Sequence, residues 1–238
     1  MATFVLIHGA WHGGWCWYKV VARLQAAGHQ VLAPDLAGLG RDTTPLQDVT
    51  LARWVDQVAA LVASQPDPVV LVGHSRGGII VSEVAERLPE RIAHAVYLAA
   101  FMVQDGQSLM DIARTNTASK LAGATVFDAA TRSTTVREEL IAPTFYAGCS
   151  ADDVALASLL LRPEPAAPMA TPLALTAARY GRVPRTYIEC EQDQAVSLDV
   201  QRAMQQAQPG TRVVTLPTDH SPFLSAPDAL CAHLLALA

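Results

Sequence analysis

Val69-Val70-Leu71-Val72-Gly73-His74-Ser75-Arg76-Gly77-Gly78 is the stretch on which the fold turns. Its first four residues are apolar with no polar alternate, the mark of a strand buried on both faces. From residue 76 to 88 the apolar positions take on helical spacing. Between strand and helix stands Gly-x-Ser-x-Gly. A serine at so abrupt a turn sits in strained backbone, and small residues are needed two places before and two places after it. Gly73 and Gly77 supply them, and Gly78 lets the helix pack closely. The start of a helix also offers free N–H groups to a developing negative charge. The five residues alone are a weak signal. With the strand before and the helix after, Ser75 becomes a candidate nucleophile rather than an ordinary turn serine.

Short apolar runs alternate with helical patterns on both sides of this turn. Upstream lie a strand at residues 4–7, a helix at 15–27 closed by Gly28, a strand at 30–33 and an amphipathic helix at 51–63. Downstream a strand at 93–99 continues the series. The pattern stops near residue 104 and resumes with a strand at 185–190, a helix at 197–206, a strand at 212–216 and a last helix at 227–237. Such alternation predicts an α/β fold, a mostly parallel sheet flanked by helices. The interruption is too long for an ordinary loop. It is rich in alanine and proline with weak helical stretches such as 152–161, and it reads as a helical lid, residues 104–183, inserted into one core made of residues 1–103 and 184–238.

Composition narrows the function classes. Of 238 residues, 51% are hydrophobic and 16% charged, so a large core is well supplied and general disorder is excluded. The net charge of −5 and scattered Lys and Arg argue against a nucleic-acid partner, which requires concentrated positive charge. The longest apolar stretch, residues 95–103, is about half the ~20 residues that cross a bilayer. No secretory leader is recognisable at Met1-Ala2-Thr3, and a soluble cytoplasmic protein is expected. Cys16, Cys149, Cys190 and Cys231 are widely spaced, form no C-x-x-C pair and read as reduced thiols. The histidines lack metal-ligand spacing with a carboxylate, so no metal is expected.

A serine hydroxyl needs a base to take its proton. Of the seven histidines, only His220 lies in a loop just after the last strand, in Leu216-Pro217-Thr218-Asp219-His220-Ser221-Pro222. That loop should open on the same sheet edge as Ser75. The acid should follow the strand at 185–190. The strand-to-loop offset favours Asp193, Glu191 shares the loop and competes, and Asp105 after the preceding strand is a more distant alternative. An oxyanion site needs two N–H donors: the backbone of Arg76, next to the serine, and the loop after the first strand, where Ala10 is the choice. Trp11 and His12 in that loop, with Phe101, Met102, Phe145 and Tyr146, are candidate pocket-lining residues; core packing is the competing reading.

Phe4-Val5-Leu6-Ile7-His8-Gly9-Ala10, His12-Gly13-Gly14-Trp15, Val72-Gly73-His74-Ser75, Leu98-Ala99-Ala100-Phe101-Met102, Cys149-Ser150 with Leu161-Arg162-Pro163, Tyr187-Ile188-Glu189-Cys190 through Asp193, and Asp219-His220 together resemble the plant methylesterase and hydroxynitrile lyase branch of the α/β-hydrolase superfamily, with bacterial relatives. The resemblance runs over nearly the whole chain. It implies an α/β-hydrolase fold whose lid follows the sixth strand of the fold, with nucleophile, acid and base at Ser75, Asp193 and His220. That choice resolves Asp193 against Glu191. It also puts the oxyanion positions at Ala10 and Arg76. The branch divides into esterases and carbon–carbon lyases. Its lyases carry threonine where this chain has Ala10, and lysine where it has Ser221. Without that lysine a departing cyanide loses its electrostatic support, so hydrolysis of small carboxylic esters is expected. Lyase chemistry, an acyl-homoserine lactonase or amidase on the same residues, and a ligand receptor are the alternatives. The expected partner is a small-molecule ester, with no cofactor and with a homodimer left open. The lid reads as shorter than in the plant members between about residues 111 and 143.

Overall fold

β1 (Thr3–Ile7) is buried at every position, in a computed structural model that describes residues 1–238. It leads through α1 (Tyr18–Ala26), β2 (Gln30–Leu32) and α2 (Leu51–Ala63) to β3 (Val69–His74), α3 (Gly77–Arg87) and β4 (Ile92–Leu98). An insertion then carries α4 (Leu109–Ala113), β5 (Thr125–Asp128), β6 (Ser133–Val136), α5 (Glu138–Phe145), α6 (Ala151–Leu160) and β7 (Glu164–Pro165). The chain returns with β8 (Arg185–Cys190), α7 (Leu198–Ala207), β9 (Arg212–Leu216), α8 (Pro222–Ser225) and α9 (Pro227–Leu235).

The main sheet has the order β2-β1-β3-β4-β8-β9, and every pairing in it is parallel. Alternate residues serve opposite faces. Val5, Ile7, Leu71 and Tyr97 pack under α2, α3 and Met204 of α7, whereas Phe4, Leu6, Val70 and Val96 pack under α1 and α9. The inner strands β1 and β3 are therefore dry on both faces, which is why they show no polar alternation. α2 begins where Thr50 accepts a hydrogen bond from the Arg53 N–H (3.1 Å), and it buries Leu51, Trp54, Val55, Val58 and Val62 on one stripe.

Strand order positions the site. β1 has β2 on one side and β3 on the other, so the chain reverses its direction of travel across the sheet between them. A crevice opens at the carboxyl ends of strands at such a switch point. Ile7 is paired with Gly73, so residues 8–11 and 74–76 leave the sheet side by side.

The insertion carries the helices expected of the lid and, in addition, strands that were not expected. β5, β6 and β7 form a small antiparallel sheet. Its strands, Thr-Val-Phe-Asp and Ser-Thr-Thr-Val, are short and β-branched but partly solvated, so they lack the apolar signature of the core strands. The insertion leaves after β4, with three strands of the main sheet before it and β8 and β9 after it. It is tied to the core at two places. Asn116 Nδ2 and Ser119 Oγ donate to the Ala195 carbonyl (2.8 and 2.6 Å), and the Asp219 carboxylate accepts from the Gly148 N–H (2.9 Å). All four cysteines are free thiols, and no helix is long and apolar enough to cross a membrane.

Candidate active site

Ser75 has φ of +52°, a left-handed conformation that costs a non-glycine residue about 1–2 kcal/mol. Three backbone hydrogen bonds hold it there. Its N–H donates to the Leu98 carbonyl (3.1 Å), and its own carbonyl accepts from the Phe101 and Gly78 N–H groups (3.0 and 3.1 Å). The helix that follows lies too close to its surroundings for side chains. A Cβ on Gly77 would sit 2.9 Å from the Ile7 carbonyl oxygen, and one on Gly78 only 2.4 Å from that of Phe101.

His220, in the loop after β9, turns Nδ1 to Asp193 Oδ2 at 2.7 Å, with both side chains buried. The Asp193 carboxylate is saturated with donors. Oδ1 accepts from the Ala195 and Val196 N–H groups (2.7 and 2.9 Å), and Oδ2 also accepts from Gln201 Nε2 (3.3 Å). A carboxylate so fixed holds the imidazole with its proton on Nδ1 and leaves Nε2 as the basic nitrogen. Glu191 and Asp105 are exposed, and the latter accepts from the Leu175 N–H instead. The Ser75 hydroxyl makes no hydrogen bond to His220 in this conformation; such contacts commonly tighten only around bound substrate.

Ala10 and Arg76 line the same cavity as Ser75, and neither backbone N–H donates to another group of the protein. The Arg76 side chain folds inward to a buried ion pair with Glu164 of β7, Nε to Oε1 at 2.9 Å. Burial moves both groups from their ordinary values, the guanidinium down and the carboxyl up, each opposed by the other's charge. Glu164 and Gln201 escaped the sequence reading. Gln201 sits in a helix with no cue to its role, but an arginine between a nucleophile and two glycines in a dry elbow demands a buried acid, and that was a legible signal.

His8, His12 and His74 surround this centre, all fully buried. Burial pushes His8 down to about 3, His12 to about 4, and His74 well below the ordinary value of 6.5. All three are neutral, and carbonyls fix their tautomers because a carbonyl only accepts. His8 Nδ1 donates to Gly9 O, His12 Nδ1 to Ala10 O, and His74 Nε2 to His220 O (2.9, 2.6 and 2.8 Å). His12 Nε2 then accepts from the Tyr146 hydroxyl (2.6 Å). The unfolded chain protonates these rings below pH 6.5 and the folded one does not. Their contribution is therefore complete above pH 6.5 and is lost as the pH falls toward 4, by up to about 4 kcal/mol per pH unit for three groups. Urea denaturation at pH 7.5, 6 and 5 should show this decline; a flat profile would refute it.

The cavity at Ser75 has a volume of about 270 Å³, and 11 of its 18 lining residues are hydrophobic. Trp11 and Phe101 are among them, but His12, Met102, Phe145 and Tyr146 are not. Those four are core residues behind the site. His12 is packed among Trp15, Phe145, Tyr146 and Phe223, and Met102 is fully enclosed under the sheet. Leu109, Met110, Leu121, Met169 and Val196 take the expected places, most of them from the insertion. Two larger hollows, of 540 and 610 Å³, do not include Ser75.

Known proteins are similar to this chain over nearly all of its length. The chain is 36% identical to methylesterase 7 of Arabidopsis thaliana over 248 residues, covering 99% of this chain and 95% of that one. It is 35% identical to the putative chloroplastic methylesterase 11 of the same plant, again over 99% of this chain, and spans 63% of that protein's length. The crystal structure of the methylesterase MES16 from Arabidopsis superposes with a TM-score of 0.88 at 30% identity, covering 99% of this chain and 98% of the other. The sequence profile of the alpha/beta hydrolase family matches residues 4–233, and this chain belongs to that family.

Proposed function

We propose that the protein hydrolyses small carboxylic esters through an acyl-enzyme on Ser75. The observation that carries this reading is the buried 2.7 Å contact from His220 to Asp193, at the sheet edge where Ser75 stands in left-handed backbone. His220 Nε2 takes the hydroxyl proton as Ser75 Oγ attacks the ester carbonyl, and Asp193 stabilises the imidazolium. The N–H groups of Ala10 and Arg76 hold the oxyanion. His220 then returns the proton to the departing alcohol, and water repeats the sequence on the acyl-enzyme. Similarity to proteins named methylesterases supports the ester class. A mostly apolar cavity of about 270 Å³ favours an uncharged ester of modest size. Position 221, beside the base, is a fully buried serine and offers no cation to a leaving cyanide.

Short-chain p-nitrophenyl esters and aryl methyl esters, tested without added metal beside mandelonitrile and an acyl-homoserine lactone, decide the matter. Turnover of the esters is expected. Cyanide release or lactone opening without ester turnover would overturn the reading.

A further inference from the structure

A guanidinium as buried as that of Arg76 is costly unless its donors are matched. Nε donates to Glu164 Oε1 (2.9 Å), Nη2 donates to the Gly9 carbonyl (3.0 Å), and the group lies 4.1 Å over the Trp54 ring. Nη1 alone is without a partner. The second oxygen of Glu164 accepts from the Trp11 N–H (2.9 Å). Trp11 is itself left-handed, with φ of +63°, a conformation that persists in a bulky residue only when its surroundings hold it.

These contacts converge on one group. The Gly9 carbonyl and the Ala10 N–H belong to one planar trans peptide and point in opposite directions, so holding the oxygen aims the hydrogen. A charged donor on that oxygen also polarises the unit and strengthens its N–H. The next peptide is held as well, its Ala10 carbonyl by His12 Nδ1 and its Trp11 N–H by Glu164. Of the four polar groups in the two peptides around Ala10, only the Ala10 N–H has no partner, and Ala10 borders the cavity with Ser75. We propose that the buried Arg76–Glu164 pair is a positioning device that aims and polarises the Ala10 N–H toward the oxyanion. Arg76 then serves the site twice, its backbone N–H as one donor and its side chain as the support of the other. Because Glu164 belongs to β7, the support comes from the insertion. The proposal rests on the ester-hydrolysis reading above.

The test compares wild type with the double variant Arg76→Met/Glu164→Leu and with Glu164→Gln. Removing both charges together leaves no unpaired buried ion, so the double variant should fold. The readouts are kcat and KM for p-nitrophenyl acetate, affinity for an aryl trifluoromethyl ketone whose adduct with Ser75 carries an oxyanion, and the thermal midpoint. In the double variant kcat should fall about 10- to 100-fold per titrated active site, ketone affinity should weaken by a similar factor, and KM should stay within about twofold. Glu164→Gln, which keeps an acceptor for Trp11, should fall between it and wild type and carries the test if the double variant does not fold. A thermal midpoint that drops while kcat and ketone affinity hold would assign the pair to stability alone and overturn the proposal. If wild type neither hydrolyses the ester nor binds the ketone, the esterase reading falls and this inference with it.

Discussion

Replacing Ser75 by alanine is expected to lower kcat for aryl esters by roughly 10⁴- to 10⁶-fold, the loss seen when the nucleophile of such a constellation is removed. Stability should hold or rise slightly. The hydroxyl has no hydrogen bond to His220, and alanine has the same Cβ to accommodate at a φ of +52°. Strained positions at functional sites are ones where the native residue is not chosen for stability. Single-turnover assays and labelling by a fluorophosphonate make the measurement, with thermal denaturation to establish that the variant is folded. A variant that keeps a tenth of wild-type turnover would remove Ser75 from the chemistry.

The second large effect should come from Asp193→Asn, an almost isosteric change. Oδ1 receives two backbone N–H groups and must remain an acceptor, so the new amide nitrogen occupies the place of Oδ2, facing His220 Nδ1. An amide N–H there donates to Nδ1 and drives the imidazole proton onto Nε2. The nitrogen that should accept the Ser75 proton is then already occupied. A fall of about 10⁴-fold in kcat is expected with the fold intact. If kcat falls by less than about tenfold, Asp193 is not the orienting acid, and the exposed Glu191 returns as the competitor.

Legibility differed between the elements for physical reasons. β3 and α3 were readable because burial on both faces removes polar residues from a strand, and because a close-packed elbow admits only glycine at Gly77 and Gly78. β8 was readable from its buried run, and β9, an exposed edge strand, from its β-branched residues between a turn and a proline. β5 and β6 were missed because short, solvated strands leave little hydrophobic signature even when they pair as a local hairpin. Among the pocket residues, Phe145 and Tyr146 were candidates by their place in the lid, with core packing as the competing reading. Both are buried behind the loop after β1, and smaller side chains of the insertion face Ser75 instead.

By itself the sequence determined the α/β alternation, the elbow at Ser75 and the candidates for base and acid. Each depends on local pattern, on backbone strain that only certain residues tolerate, or on position relative to a strand end. Tertiary structure decided the rest. It decided which acid reaches His220, because a 2.7 Å contact is set by two loops that the sheet register brings together. It also decided that Arg76 is buried against Glu164, 88 residues away, and that one planar peptide is held so that its N–H stays free. Such contacts follow from the packing of the insertion on the core, and although an arginine in a dry elbow signals that an acid is needed, no local pattern says which acid supplies it.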